Sequence, residues 1–190
     1  MARILVFFGM TASGKSTLAA LCATRHRAPH HNTDRVRKEL AGLAANTRRP
    51  DGIGRGIYTR ELSERTYTAM LERAAADIRA GQALVILDGS YASRESREGA
   101  RKQAASLGAD LRFIHCVCGE AETIRRLNLR ARDSEAVSDG RLEIYRHQQQ
   151  SFAEPDVAET DVIRLDTEDA PEHLLTRLEA AGVILPSLAM

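Results

Sequence analysis

The sequence predicts an α/β domain in which a parallel sheet is covered by helices on both faces. Three observations carry that expectation. Short apolar runs alternate with longer segments of helical periodicity. Several of those runs are apolar at every position instead of every second one, as strands buried on both faces are. A chain of 190 residues with 43% hydrophobic content is long enough for one domain with a substantial core, so a single domain over residues 1–190 is expected.

In chain order, the strand candidates are residues 3–8, 29–33, 83–88, 111–118 and 161–166. The first is unbroken from Ile4 to Phe8, and the third runs from Leu84 to Leu87 before closing on Asp88. The helical segments are 15–25, 34–43, 59–80, 93–107, 120–131, 140–152 and 170–181. In the third of these, Leu62, Thr66, Met70, Ala74 and Ile78 recur every four residues and form a ridge suited to packing on the sheet. Gly81, Gly108 and Gly182 stand where glycines close helices. Residues 45–56 and 133–140 are polar or glycine-rich, lack apolar periodicity, and read as loops beside a site.

A formal net charge of +1 provides no single-sign field, which disfavours a long nucleic acid or an anionic membrane as partner. Of the 27 basic residues only Lys15, Lys38 and Lys102 are lysines, so a cluster of arginines says little while Lys15 says more. The first apolar run stops at Gly9, too short for a signal-peptide core, and no later segment is long enough to cross a bilayer. A cytoplasmic location is expected. Cys22, Cys116 and Cys118 are odd in number, and the last two share a strand face with His115 beside them. No second ligand pair follows at zinc-site spacing, so reduced core thiols are the better reading.

The run Gly9-Met10-Thr11-Ala12-Ser13-Gly14-Lys15-Ser16-Thr17 matches G-x-x-x-x-G-K-[ST], placed after a buried strand and opening a helix. Its glycines let backbone N–H groups wrap the phosphates of ATP, and the helix N-terminus adds partial positive charge. Lys15 is expected to reach the β- and γ-phosphates and Ser16 to ligate Mg2+. Asp88, ending its apolar run, is expected to bind the same magnesium ion, directly or through water; a turn cap is the alternative.

A second substrate needs its own residues. Asn32-Thr33-Asp34-Arg35-Val36-Arg37 follows the second strand, and ligands of parallel sheets collect beyond the strands' carboxyl ends. Asp34 could accept the proton of an attacking hydroxyl, with Arg37 on the same helix face holding an anionic group. Alternatively, Asp34 caps the helix and Arg37 is a solvated charge.

With its phosphate loop, its Thr33-Asp34-x-x-Arg37 element and its later arginines, the chain resembles the 5′-hydroxyl polynucleotide kinase branch. It also resembles a set of small P-loop kinases related to gluconate kinases, chloramphenicol phosphotransferases and zeta-toxin kinases. That set includes ATP-binding domains fused to aminoglycoside phosphotransferase-like domains. The resemblance covers nearly the whole chain. It implies a P-loop NTPase fold of three α/β/α layers with a five-stranded parallel sheet of order 2-3-1-4-5, plus a helical lid over about 125–140. It also implies that Asp34 activates the acceptor hydroxyl and that Arg37 positions the substrate. Arg125, Arg126, Arg130 and Arg132 resemble the lid arginines of this group; Arg126 and Arg130, one turn apart, would stabilise the transferred charge, unless they form a solvated face. Leu165-Asp166-Thr167 resembles the place where adenine rests, which makes Asp166 and Thr167 candidate cofactor contacts. His30-His31 stands where the resemblance implies plain strand residues, and reads as packing or surface.

The expected activity is therefore transfer of the γ-phosphoryl group of ATP, with magnesium, to a hydroxyl of a small molecule or a nucleic-acid 5′ end. For the latter, Arg48, Arg49, Arg55 and Arg60 would supply a short basic funnel. The alternatives are an ATP-binding regulatory module without a soluble acceptor, and a toxin-type kinase acting on an activated sugar. Oligomeric state is left open.

Overall fold

A computed structural model describes residues 1–45, 47, 54–131 and 141–184. The proposed funnel residues Arg48 and Arg49, the lid arginine Arg132 and the polar stretch 133–140 lie outside the described residues.

Strand β1 (Arg3–Phe8) leads into helix α1 (Lys15–His26), β2 (His30–Asn32) into α2 (Thr33–Leu40), and a short 3-10 turn (Gly56–Tyr58) precedes α3 (Arg60–Arg79). Then follow β3 (Leu84–Gly89), α4 (Arg94–Ser106), β4 (Asp110–Val117), α5 (Glu120–Ala131), α6 (Leu142–Ser151), β5 (Val162–Asp166) and α7 (Pro171–Ala180). The sheet is parallel in the order β2-β3-β1-β4-β5, as the resemblance implied.

Alternation along β1 explains its unbroken apolar run. Leu5 and Phe7 enter a cluster with Leu18 and Cys22 of α1 and Leu174 and Leu175 of α7. Ile4, Val6 and Phe8 enter the opposite cluster with Met70 and Ala74 of α3 and Ala100 of α4. Both sides of the strand are dry, so polar alternation has no place to appear. The predicted ridge of α3 is buried at Thr66, Met70 and Ala74, while Leu62 and Ile78 at its ends are half-buried. Gly81, Gly108 and Gly182 all have positive φ just past their helices.

Two boundaries depart from expectation, both at α2. The segment 29–33 yields a three-residue edge strand, because the Asn32 side chain accepts from the N–H groups of Asp34 and Arg35 and starts the helix at Thr33. The helix stops at Leu40 and not at 43: Gly42 turns into φ 68°, and the Leu43 N–H returns to the Lys38 carbonyl at 2.8 Å.

The segment after α6 is fastened by a buried ion-pair network. Arg97, 1% exposed, donates from Nε and Nη2 to both carboxylate oxygens of Glu159 at 2.8 Å, and from Nη1 to the carbonyls of Tyr91 and Ala153 at 3.1 Å. Arg101 adds bonds to Glu159 and Asp161. Hydrogen bonds from Arg97, followed by those from Arg101, hold the Glu159 carboxyl at about 2, below its usual 4.5.

Glu159→Gln leaves Arg97 buried with half its partner gone and should cost about 3 kcal/mol at neutral pH in urea denaturation. A carboxyl depressed in the folded state stabilises above its unfolded value and loses that contribution as pH falls. Parent stability should therefore drop between about pH 4.5 and 2, and the Gln variant should show a flatter profile over that window.

Candidate active site

The loop between β1 and α1 has the shape a polyphosphate requires. Gly9 (φ 143°) lies so close to the Cys116 carbonyl that a Cβ there would overlap it, and a Cβ on Gly14 (φ 83°) would stand 3.0 Å from Arg126 Nη1 and from Thr167 Oγ1. Ala12 takes φ 59°, a left-handed turn held by a non-glycine residue. No side chain caps α1, since its cap residue is Gly14, so its first N–H groups are left for an anion. Among the described residues, the Thr11 and Ser13 hydroxyls are buried without hydrogen-bond partners. Orphaned donors around a glycine-built cradle fit a phosphate chain. Lys15 opens α1 and donates from Nζ to the Met10 carbonyl at 3.2 Å. Ser16 and Thr17 follow in the first turn.

Ser16 Oγ donates to Asp88 Oδ1 at 3.2 Å, and Asn32 Nδ2 donates to Asp88 Oδ2 at 2.6 Å. Asp88 is fully buried, and His30 Nε2 stands 3.6 Å from its carboxylate. Its side chain therefore serves no turn cap. One hydroxyl and one carboxylate at the mouth of the cradle are the hard oxygen donors that magnesium takes alongside phosphate and water. His31 is engaged elsewhere, 2.7 Å from Asp77 of α3.

At the end of β2, Asn32 does the capping of α2, which leaves the Asp34 carboxylate for other contacts. Arg37 is no solvated charge: it is 8% exposed, donates to Asp34 at 3.2 Å, lies over the Tyr58 ring at 5.0 Å, and keeps a buried Nε without a partner among the described residues. A Cβ on Gly89, at the end of β3, would meet Thr33 Cγ2. Two residues on, Tyr91 is fully buried at φ 40°, its N–H donating to the Tyr67 hydroxyl, which also bonds Ser90 Oγ at 3.0 Å. Backbone strain of this kind persists where the surroundings over-determine it. Arg60 of the proposed funnel is spread on the surface, paired with Glu64 at 2.7 Å.

The opposite flank of the loop is a cavity of about 450 Å³ bordered by Gly14, Leu129, Arg130, Glu168 and Pro171. Ala12, Arg126 and Thr167 line it as well. Arg126 donates from Nη2 to the Thr167 carbonyl at 2.6 Å and from Nη1 to the Ala12 carbonyl at 3.4 Å. Thr167 Oγ1 donates to the Ser13 carbonyl at 2.7 Å. Arg126 is held in turn by Glu122, whose carboxyl is lowered to about 2 by hydrogen bonds from Arg125 first and Arg126 second. Arg125 itself is a surface residue. Asp166 is exposed and accepts from the Glu168 N–H at 2.9 Å, fixing the turn after β5 instead of bordering the cavity.

Sequence reasoning missed Asn32 as the cap, although Asn two residues before Asp34 is an ordinary N-cap signal. It also missed Tyr67, Ser90 and Tyr91, and it missed Gln148 of α6, whose Oε1 accepts from the Thr11 N–H at 2.7 Å. No local pattern marks these residues.

A family model described as an AAA domain matches residues 4–155. The uncharacterized protein Rv2004c of Mycobacterium tuberculosis strain H37Rv is 31% identical over 114 residues. That stretch is 60% of this chain but only 23% of the relative, so the chain spans less than a quarter of its length. Among solved structures, a sugar kinase from Janibacter sp. HTCC2649 superposes with TM-score 0.68 at 18% identity, over 100% of this chain and 99% of that one. The APS kinase of Mycobacterium tuberculosis, in complex with AMPPNP and APS, gives 0.66 at 18% identity, over 96% and 98%. A gluconokinase from Sinorhizobium meliloti 1021 gives 0.62 at 18%, over 94% and 90%. At such identities the likeness is one of fold. None of the described helices is long and apolar enough to cross a membrane. With most of its length matched and a phosphate loop at the end of the middle strand of a 2-3-1-4-5 sheet, the chain belongs to the AAA-domain family of P-loop proteins.

Proposed function

We propose that the chain is a kinase that transfers the γ-phosphoryl group of ATP to a hydroxyl of a small molecule, with magnesium. One observation carries the reading. Asp34 stands two residues beyond Asn32, the register partner of Asp88, and Asn32 relieves its carboxylate of capping. A nucleotide-driven switch without an acceptor has no use for a carboxylate and a buried arginine at that edge. The kinase names of the superposed structures support the same reading.

In this scheme the amides of residues 12–16 and Lys15 hold the triphosphate, and Ser16 with Asp88 holds the metal. Magnesium, when bound, supplies charge neutralisation across the terminal phosphates. Arg37 orients an anionic or polar group of the acceptor. Asp34 takes the hydroxyl proton as the acceptor oxygen bonds to phosphorus and the bond to the ADP oxygen breaks. Arg126 closes the base side, and Arg130, one turn farther on, is assigned to the charge that develops on the transferred group.

Lys15→Ala should abolish ADP formation while leaving the thermal midpoint within a few degrees, measured by a coupled assay and calorimetry. Asp34→Asn should keep ATP binding and lower acceptor-dependent turnover by about a hundredfold, the range for a lost general base; parent-level turnover would return Asp34 to a structural role. Arg126→Ala, which releases Ala12 and Thr167, should weaken nucleotide binding about tenfold by titration calorimetry. Arg130→Ala should instead act on kcat more than on the KM for ATP.

A further inference from the structure

The peptide unit joining Met10 to Thr11 is held from both sides. Its carbonyl accepts from Lys15 Nζ at 3.2 Å, and its N–H donates to Gln148 Oε1 at 2.7 Å. In a planar trans peptide these two groups point opposite ways, so an acceptor on the N–H fixes where the carbonyl points. Gln148 comes from α6, the helix that returns after residues 132–140, 137 residues away in sequence.

Docking of α6 is accomplished by other atoms. Tyr145, 4% exposed, packs with Met10, Ala12 and Leu127, and its hydroxyl accepts from Gln149 Nε2 at 3.1 Å. Gln148 adds little burial, being itself half-buried, yet among the described residues it joins α6 to the phosphate loop by a side-chain hydrogen bond. Removing it would leave α6 seated and the Met10–Thr11 peptide held on its carbonyl side alone, by Lys15 Nζ and by the Ser13 N–H at 3.3 Å.

We propose, on the basis of the role assigned to Lys15 above, that Gln148 is a positioning residue for Lys15. Its carboxamide oxygen anchors the Thr11 N–H, which turns the Met10 carbonyl toward the Lys15 ammonium and sets the lysine's approach to the phosphates. The required chemistry is an acceptor oxygen at that place; the Gln148 NH2 group takes no part.

The chain's three lysines make the test direct. Lys102 is exposed and Lys38 fully buried, so the rate of acylation of Lys15 by an amine reagent can be referred to Lys102 within the same molecule. Two full-length variants separate acceptor from shape: Gln148→Met removes the acceptor, and Gln148→Glu keeps it. In Gln148→Met, Lys15 labelling relative to Lys102 should rise about fivefold, the ratio for one ordinary net hydrogen bond. ADP formation from magnesium-ATP should fall about tenfold or more in kcat, with a smaller change in KM. Gln148→Glu should remain within about twofold of the parent in both measurements. Parent-like labelling of Lys15 in Gln148→Met overturns the proposal, as does a Gln148→Glu variant no better than Gln148→Met. Were the parent to form no more ADP than Lys15→Ala, the kinase reading would fall, while the labelling ratio would still decide the part played by Gln148.

Discussion

The position of β1 in the middle of the sheet is the constraint on which the rest of the site depends. All five strands are parallel, so their carboxyl ends lie along one edge, and the loop after β1 must emerge between the ends of β3 and β4. The room there is small enough that Gly9 tolerates no Cβ against the Cys116 carbonyl. The register that pairs Phe7 and Asn32 with Asp88 then brings a buried carboxylate to the mouth of the phosphate loop, within hydrogen-bond reach of Ser16. The same edge receives Thr167 from the end of β5, whose hydroxyl ties the loop's Ser13 carbonyl.

Arginine supplies almost all of this chain's positive charge, and burial decides what each one does. Arg60 and Arg125 are exposed and bridge to glutamates on their own helices, contacts that solvent screens and that add little to stability. Arg97 sits in the interior with two carboxylate oxygens and two carbonyls, so its loss leaves several groups unsatisfied at once. Arg126 lies between these extremes and spends its donors on the backbone of the phosphate loop and of the turn after β5. The guanidinium group suits this duty because its donors are fixed in one plane.

Burial keeps Cys22, Cys116 and His115 of the core uncharged at neutral pH. Burial pushes the Cys22 thiol up to about 12 and the Cys116 thiol higher still, so both remain protonated and unreactive at neutral pH. Burial, with smaller contributions from Arg164 and Arg97, lowers His115 to about 4, and the neutral ring stacks on Phe8 at 4.7 Å and on Phe152 at 5.5 Å. Adjacent in β4, His115 and Cys116 are therefore split by the strand's alternation, with Cys116 on one side of the sheet and His115 on the other.

By itself, the sequence determined the α/β alternation, the five strands within one or two residues at most ends, and the phosphate loop. Those features are written in local patterns: an apolar run, a glycine spacing, a periodicity of about four. It also singled out Asp88 and Asp34 as carboxylates at strand or helix ends, but left each with two readings, because a cap and a ligand use the same residue type. The fold leaves the cap of α2 to Asn32, a local contact, and buries Asp88 against Ser16 and Asn32, which ties that carboxylate to the phosphate loop. It also decided that Asp166 holds a turn while its neighbour Thr167 holds the loop, and that Gln148 reaches Thr11 across 137 residues. Such contacts depend on which strands lie side by side and which helix returns over the loop, and no spacing along the chain encodes a distance between segments that meet only after the sheet has formed.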